Sequence, residues 1–308
     1  MKLLRHRRTR QSAKVALRVS LSLASIYAFL IGQALITKKR VGTTSEVPPD
    51  SGTVYGIDFP GEAIRLLVLG DSTAVGYGMK KAEDTPTALI ADSLSYVLDT
   101  PVNARSAAVV GAQSKDLINQ INAAADHRPQ IAVILVGAND IRHQVRPSTS
   151  GERLATAIRA LRAEDCEVIV GTCPDLGTIK LILPPLRTVV RHWSRRLAKA
   201  QTVAAVEAGA RVVSVGDLLG PLYLKLGEGF FGEDRYHPSK AGYAHVSSFL
   251  VAAAVASWRA RDHEEAHADL HESIMSVNTA AIEASEHAGT EVVRKGRLAR
   301  VLPGRSAN

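Results

Sequence analysis

Between residues 62 and 259, short apolar runs alternate with segments of helical periodicity, and this alternation constrains the fold more than any other feature. Ile131–Val136, with the sequence IAVILV, is apolar at every position, as is typical of a strand covered on both faces. The other four predicted strands are Ile64–Leu69, Val102–Ala108, Glu167–Val170 and Arg211–Val215. Because strands that alternate with helices form parallel sheets packed between helices, the sequence predicts a doubly wound α/β domain of about five parallel strands.

The N-terminus combines basic residues with a long apolar run. Residues 15–36 contain a single charged residue, Arg18, and 22 positions are enough for a helix to cross the hydrocarbon core of a bilayer. Six Lys or Arg residues precede this run and three follow it, at positions 38–40. The positive-inside rule then places the N-terminus in the cytoplasm and the following domain outside. We expect a single-pass anchor in the cell membrane.

Two alternatives to an anchor stay open at this point. Gly32-Gln33-Ala34 has the small-x-small form of a signal-peptide cleavage site, which would make the mature protein secreted. The apolar run is longer than the 7–15 residues of an ordinary signal peptide. A peripheral or cytosolic segment is the other alternative.

The charge distribution argues against a nucleic-acid partner. The chain has 38 Lys and Arg residues, 30 Asp and Glu residues and a net charge of +8, but residues 1–40 hold ten of the basic residues and none of the acidic ones. Residues 41–308 therefore carry 28 basic and 30 acidic residues, a net charge of −2. A nucleic-acid-binding domain needs a basic surface on its folded part, so we expect no nucleic-acid partner.

The cysteine count and one histidine motif bear on metal sites. Two cysteines, Cys166 and Cys173, exclude a four-cysteine zinc site, and they lie too far apart along one predicted strand to form a disulfide. Residues 263–267 match the H-E-x-x-H zinc-peptidase pattern. This segment is polar and lies beyond the predicted core, which argues against the buried support that a catalytic zinc requires. We expect no metal or cofactor.

These patterns divide the chain into five regions. The predicted regions are a basic segment at 1–14, the anchor or signal sequence at 15–36, a linker at 37–61, the α/β domain at 62–259 and a polar C-terminal helix and tail at 260–308. The linker is rich in Pro, Gly, Ser and Thr, and residues 294–308 read as a loose basic tail.

Polar residues follow the predicted strands at the points where the strands end. Ser72 follows the first strand, Gly111 the second and Asn139 the third, while Asp234 and His237 precede the final helix. Ligands of open parallel sheets bind beyond the carboxyl ends of the strands. We therefore expect these five residues to meet at one edge of the sheet.

Their chemical types fit serine catalysis. A serine hydroxyl such as Ser72 is a weak nucleophile until a base takes its proton, and His237 is the candidate base. Asp234 is placed to orient the histidine and to stabilise its cation. The backbone N–H groups of Ser72 and Gly111, with the side-chain amide of Asn139, are candidate donors of an oxyanion hole.

At these positions the chain resembles the SGNH (GDSL-type) hydrolase superfamily. The four defining residues of that superfamily, Ser, Gly, Asn and His, fall on Ser72, Gly111, Asn139 and His237, with Asp234 completing an Asp-x-x-His motif. The resemblance implies a flavodoxin-like three-layer α/β/α fold. It also implies hydrolysis of esters or thioesters through an acyl-enzyme, without a metal.

The resemblance covers about Ile64–Leu250, and it departs from the family pattern at two places. Thr73 stands where the GDSL tag has leucine. The Asn-x-Gly usual before the oxyanion glycine is absent from Asn103–Val110.

The sequence thus predicts an esterase that acts on small-molecule, glycan or lipid esters. Two alternatives share the fold: an acyltransferase that uses the same residues, and a non-catalytic binding protein of the cell envelope. The apolar stretch Ile179–Leu186 is predicted to form either a rim of the substrate pocket or a covered loop.

Overall fold

The structure is a computed structural model. It describes residues 22, 24–41, 48–216, 227–261, 273–287 and 289–303. The described strands are β1 Val54–Tyr55, β2 Ile64–Gly70, β3 Val102–Ser106, β4 Ile131–Leu135, β5 Glu167–Gly171, β6 Arg211–Val213, β7 Ser273–Met275, β8 Glu291–Lys295 and β9 Leu298–Leu302. The described helices are α1 (24–40), α2 Ser72–Val75, α3 Pro86–Leu98, α4 Leu117–Ala123, α5 Ala138–Arg142, α6 Pro147–Ala163, α7 Leu186–Glu207, α8 Lys240–Arg259 and α9 Val277–Glu286.

The five predicted parallel strands form the centre of the sheet, in the order β3-β2-β4-β5-β6. This is the strand order of flavodoxin-like sheets, so the predicted core topology is confirmed. The register places Leu66 beside Ile131, for example, and Ile131 beside Glu167. All five strands point their carboxyl ends towards the same edge.

Helices cover both faces of this sheet, because alternate residues of each strand point to opposite sides. On one face Leu66 and Val133 pack against Leu94 of α3 and Leu250 of α8. On the other face residues of β2, β4 and β5 pack against α4, α6, α7 and α9. The predicted three-layer architecture is therefore present.

The sheet differs from the prediction at its edges, where it is mixed. β1 joins β3 in antiparallel orientation, and β8, β9 and β7 extend the sheet antiparallel beyond β6. The expected loose tail from residue 294 instead contributes to β8 and β9, and α9 packs beside them. The physical reason is an apolar alternation: Val292, Ala299 and Val301 are buried against the core, and β8 pairs with the edge of β6.

The predicted anchor lies only partly within the described residues. Residues 24–40 are helical, while residues 1–21 and the H-E-x-x-H segment at 263–267 lie outside the described part. Among the described helices, Lys240–Arg259 is long and apolar enough to cross a membrane, but more than half of it is buried against the sheet. The membrane role of residues 15–36 stays a prediction. Cys166 and Cys173 are buried free thiols.

Candidate active site

Ser72 lies at the carboxyl end of the central strand β2, as the first residue of the short helix α2. The preceding residue, Asp71, caps this helix by accepting a hydrogen bond from the Thr73 N–H at 2.9 Å. Gly70 has a φ of +136°, and a Cβ atom there would lie 1.9 Å from the carbonyl oxygen of Leu135. Only glycine therefore lets the Ser72 loop pack directly against β4.

A short turn before α8 holds Asp234 and His237 together. Asp234 Oδ1 accepts hydrogen bonds from the backbone N–H groups of Tyr236 and His237, both at 2.9 Å. Asp234 Oδ2 lies 2.6 Å from Nδ1 of His237. The turn is closed by Gly232, whose N–H donates to the His237 carbonyl at 2.8 Å. Asp234, three residues before His237, thus fixes the orientation of the histidine ring.

The electrostatics of this turn favour a charged Asp234. Burial of the carboxyl group raises its pKa, but the hydrogen bonds from the His237 side chain and from two backbone N–H groups outweigh that effect. The net result is a pKa below the ordinary aspartate value. Asp234 is therefore ionised at neutral pH and accepts a hydrogen bond from His237 Nδ1–H.

The other ring nitrogen of His237 reaches the serine. Nε2 lies 2.9 Å from Ser72 Oγ, although the two residues are 165 positions apart. The rings of Tyr77 and Tyr236 lie beside the imidazole, with centroids 4.6 and 5.0 Å away. They restrict its rotation, so that the histidine bridges Asp234 and Ser72.

Asn139 and Gly111 lie in the segments that follow β4 and β3, the two strands beside β2. Asn139 is a buried residue in α5, which begins directly after β4. Gly111 lies in an exposed turn with a φ of +86°. That turn is tied to the Ser72 loop, because the Val109 N–H donates to the Gly70 carbonyl at 3.0 Å. The structure thus brings four sequence-predicted residues to one edge and places Gly111 on the loop next to them.

Two residues that the sequence patterns did not single out as reactive hold these loops in register. Asp140 is fully buried and accepts hydrogen bonds from Ser114 Oγ at 3.1 Å and Ser150 Oγ at 3.0 Å. It thereby joins the loop after Gly111 to helix α5. The side chain of Gln120 in α4 makes two hydrogen bonds to Gly70, accepting from its N–H at 2.9 Å and donating to its carbonyl at 2.8 Å.

Asp71 is the second buried carboxyl group close to the serine. Burial raises its pKa to about 6, partly offset by the hydrogen bond from the Thr73 N–H and by the charge of His237. One of its oxygen atoms, Oδ1, is used in capping α2. Asp71 and Asp140 thus organise the loops through their hydrogen bonds.

A largely apolar cavity opens beside Ser72 and His237. Its apolar walls are Leu135, Val136, Leu176, Ile179, Val215 and Val246. Thr178 and Ile179 come from the segment after β5, so the start of the predicted stretch Ile179–Leu186 does line the cavity. Ile182 is buried while Leu183 is exposed, which makes this stretch partly a cavity wall and partly an open surface.

Comparisons with known proteins agree with this geometry. The profile of the GDSL-like lipase/acylhydrolase family matches residues 68–245. A GDSL-like esterase of Mycobacterium tuberculosis is 35% identical over 288 residues, which cover 89% of this chain and 90% of that protein.

A solved esterase structure shares the fold, and a second one is reported beside it. The psychrotrophic esterase EstA from a Pseudoalteromonas species superposes with a TM-score of 0.50 at 16% identity, over 63% of this chain and 98% of its own. An acetylxylan esterase from Geobacillus stearothermophilus gives a TM-score of 0.48 at 18% identity, over 61% of this chain and 92% of its own. At 16% identity the match to EstA speaks for the fold alone. The family profile and the mycobacterial relative confirm the resemblance seen in the sequence: the chain belongs to the GDSL-like lipase/acylhydrolase family and is a hydrolase of ester bonds.

Proposed function

We propose that the enzyme cleaves carboxylic esters through an acyl-enzyme, with Ser72 as nucleophile, His237 as general base and Asp234 as the residue that orients His237. The observation that carries the proposal is the continuous chain of contacts from Asp234 Oδ2 to His237 at 2.6 Å and from His237 to Ser72 Oγ at 2.9 Å. These separations are hydrogen-bond distances, which general-base activation of a hydroxyl needs.

In the first half-reaction Ser72 Oγ attacks the ester carbonyl carbon while His237 Nε2 takes the hydroxyl proton. Negative charge then develops on the carbonyl oxygen. The backbone N–H groups of Ser72 and Gly111 and the side-chain amide of Asn139 donate hydrogen bonds to it, each such donor being worth about 3–4 kcal/mol. The intermediate collapses, the alcohol leaves with the proton from His237, and the acyl group stays on Ser72.

In the second half-reaction water replaces the alcohol. His237 takes a proton from water, the resulting hydroxide attacks the acyl carbon, and the carboxylic acid leaves as Ser72 recovers its proton. The negative charge of Asp234 stabilises the imidazolium in both halves. The apolar cavity beside Ser72 supports an acyl group of aliphatic character.

We further propose that residues 15–36 anchor the enzyme in the cell membrane, with the N-terminus in the cytoplasm and the catalytic domain outside. The support is the excess of Lys and Arg before the apolar run together with the exposure of its side chains. In the helix 24–40, Ile26, Tyr27, Phe29 and Leu35 are each more than half exposed. Such a surface is unfavourable in water and is stabilised in a bilayer.

The test of the catalytic proposal is the variant Ser72→Ala. We expect it to lose hydrolysis of p-nitrophenyl acetate and butyrate by about 10³-fold or more. It should also no longer react with a fluorophosphonate probe, which labels an activated serine. Undiminished turnover by a correctly folded variant would contradict the proposal, and so would a wild-type enzyme that the probe does not label. Circular dichroism spectra of both proteins provide the folding control.

A further inference from the structure

The N-terminal helix contacts the catalytic domain beside the cavity, at the start of α7. Gln33 donates from Nε2 to the Pro184 carbonyl at 2.7 Å and accepts from the Leu186 N–H at 3.1 Å. Gln33 and Thr37 are buried, whereas most of the helix before Gln33 is exposed. If residues 15–36 span a bilayer, Gln33 lies at its outer surface, and this contact holds residues 184–186 at the same level.

The surface around this contact is apolar. Leu183 and Val189 are 37% and 40% exposed, and Pro184 and Pro185 between them are also exposed. We call the exposed surface of residues 180–199 the anchor-side face. An exposed apolar group of this kind, continuous with an apolar helix, is typical of a surface that contacts a membrane.

The anchor-side face is also basic. From residue 176 to residue 206 the sequence contains six Lys or Arg residues and no Asp or Glu. Buried Asp175, just before this range, lies within salt-bridge distance of Arg191 and Arg195 and offsets one charge. Three more basic residues, at positions 38–40, follow Thr37 on the docked helix. Outside residues 1–40 the chain has a net charge of −2, so this concentration of positive charge is local.

Two of these basic residues, Arg196 and Lys199, lie on the side of helix α7 that faces away from the core. Val189, His192, Arg196 and Lys199 follow one another at intervals of three and four residues and therefore share one side of the helix. The opposite side, which includes Leu197, is buried against the core. A basic outer surface that begins with apolar residues matches the headgroup region of an anionic lipid bilayer, where each Lys or Arg contributes about 1 kcal/mol.

The cavity and the anchor-side face are built from one continuous segment. Leu176, Thr178 and Ile179 line the cavity beside Ser72, and the exposed apolar residues begin four positions later at Leu183. An ester lying in the bilayer surface is therefore delivered next to the cavity when this face rests on the lipid.

We propose that the anchor-side face lies on an anionic lipid surface and that the enzyme takes its ester substrate, an acyl lipid, from that surface. The proposal rests on the function proposed above for Ser72 and on membrane anchoring by residues 15–36. It adds a second membrane contact within the catalytic domain and fixes the orientation of the cavity relative to the bilayer.

The first experiment measures the environment of this face in the full-length protein. A polarity-sensitive maleimide dye is attached to Leu183→Cys, to Val189→Cys and, as the control, to Val97→Cys. Val97 is as exposed as Val189 but lies on α3, in the opposite helical layer. The native cysteines are buried, which favours selective labelling at the introduced sites. The protein is reconstituted in phosphatidylcholine vesicles with or without phosphatidylglycerol.

We expect a blue shift of dye emission at positions 183 and 189 in the anionic vesicles, a smaller shift in the zwitterionic vesicles and none at position 97. Emission at positions 183 and 189 that is the same as in detergent-free buffer would overturn the proposal. An equal shift at all three positions would do so as well, because it would indicate contact without orientation.

The second experiment separates membrane contact from chemistry. In the double variant Arg196→Gln/Lys199→Gln, kcat/KM for a fluorogenic ester embedded in anionic vesicles should fall about tenfold, while kcat/KM for soluble p-nitrophenyl butyrate stays unchanged. The matched control is Lys295→Gln/Arg297→Gln, which removes two charges from the exposed β8–β9 turn and should leave both activities unchanged.

The two proposals fail in different ways. Loss of vesicle activity equally in the variant and in its control, or no loss in either, would overturn the membrane orientation while soluble hydrolysis continues. Hydrolysis of the soluble ester by Ser72→Ala would instead overturn the catalytic proposal.

Discussion

Two acid–base pairs lie at different parts of the same sheet, and they differ in burial, in sequence separation and in what surrounds them. Asp234 and His237 are 2.6 Å apart at the carboxyl ends of the parallel strands, three residues apart in sequence, with His237 facing a cavity. Arg211 and Glu291 are 3.0 Å apart, 80 residues apart in sequence, and each side chain is only 5% exposed.

The difference separates a pair proposed to act in catalysis from a pair that stabilises the sheet. The histidine pair keeps one nitrogen directed at Ser72, so its second partner is the proposed nucleophile. The arginine pair joins β6 to β8, next to the register of Val212 with Val292 and Val213 with Glu291. It neutralises two charges where the antiparallel C-terminal strands add to the parallel sheet. The first pair should therefore affect rate, and the second should affect stability.

The largest expected effect is that of Asp234→Asn on rate. The amide keeps the shape of the side chain but removes the charge that stabilises the imidazolium and selects the histidine tautomer. We expect kcat for p-nitrophenyl butyrate to fall by about 10³–10⁴-fold, equivalent to ~4–5 kcal/mol in the barrier. The free energy of unfolding should change by about 1 kcal/mol, the scale of one hydrogen bond.

Steady-state kinetics and urea denaturation of the same preparation measure both quantities. A variant that loses stability by several kcal/mol while it keeps its rate would reverse the assignment of the two pairs.

The second prediction concerns the other pair. Glu291→Gln removes the carboxylate that faces the Arg211 guanidinium in a buried environment, which typically costs about 3–5 kcal/mol of stability. We expect the urea midpoint to fall accordingly, with kcat per folded molecule unchanged. The double variant Arg211→Met/Glu291→Leu removes both charges and should recover most of the loss. If Glu291→Gln lowers kcat without moving the midpoint, the C-terminal strands have a role in the active site that the structure does not indicate.

The central sheet could be predicted from the sequence because each strand is recognisable from its own residues. IAVILV in β4 is apolar throughout, IRLLVL in β2 is apolar except at Arg65, and polar residues follow each run within three positions. The Asp-x-x-His turn is equally local, since the hydrogen bonds that Asp234 accepts come from residues within three positions. Such features depend on neighbours in the sequence and can be read from it.

The remaining features depend on distant partners. β8 and β9 have the sequences EVVRK and LARVL, which are short and half polar because they lie near an edge of the sheet. Gln120 acts on Gly70, 50 residues away, and Asp140 acts on Ser114, 26 residues away. The sequence around a buried glutamine in a helix does not indicate which distant residue its side chain contacts. The contact of Gln33 with Pro184, across 151 residues, could not be read for the same reason.

The smallest expected effect concerns the pH dependence of the free energy of unfolding. Asp71, the buried residue before Ser72, has a pKa of about 6 in the folded state, against 3.8 for the free side chain, so the folded protein binds more protons between those values. The free energy of unfolding should therefore fall as pH rises from about 4 to 6, by roughly 1–3 kcal/mol for this shift. Asp140, whose pKa burial also raises, contributes in the same direction. For that reason the informative quantity is the difference between wild type and Asp71→Asn.

In Asp71→Asn the side-chain oxygen still accepts the Thr73 N–H but no longer titrates. We expect the variant to show a flatter stability profile between pH 4.5 and 7, measured by urea denaturation, and to exceed wild type in stability at pH 7. Glu291→Gln should leave this slope as it is in wild type, because the arginine pair lies away from Asp71. An Asp71→Asn profile parallel to that of wild type would assign the pH dependence to other carboxyl groups. The expected result would mean that the Asp71 carboxylate at the carboxyl end of the sheet lowers stability. The Glu291 carboxylate in the C-terminal strands, by contrast, is neutralised by Arg211.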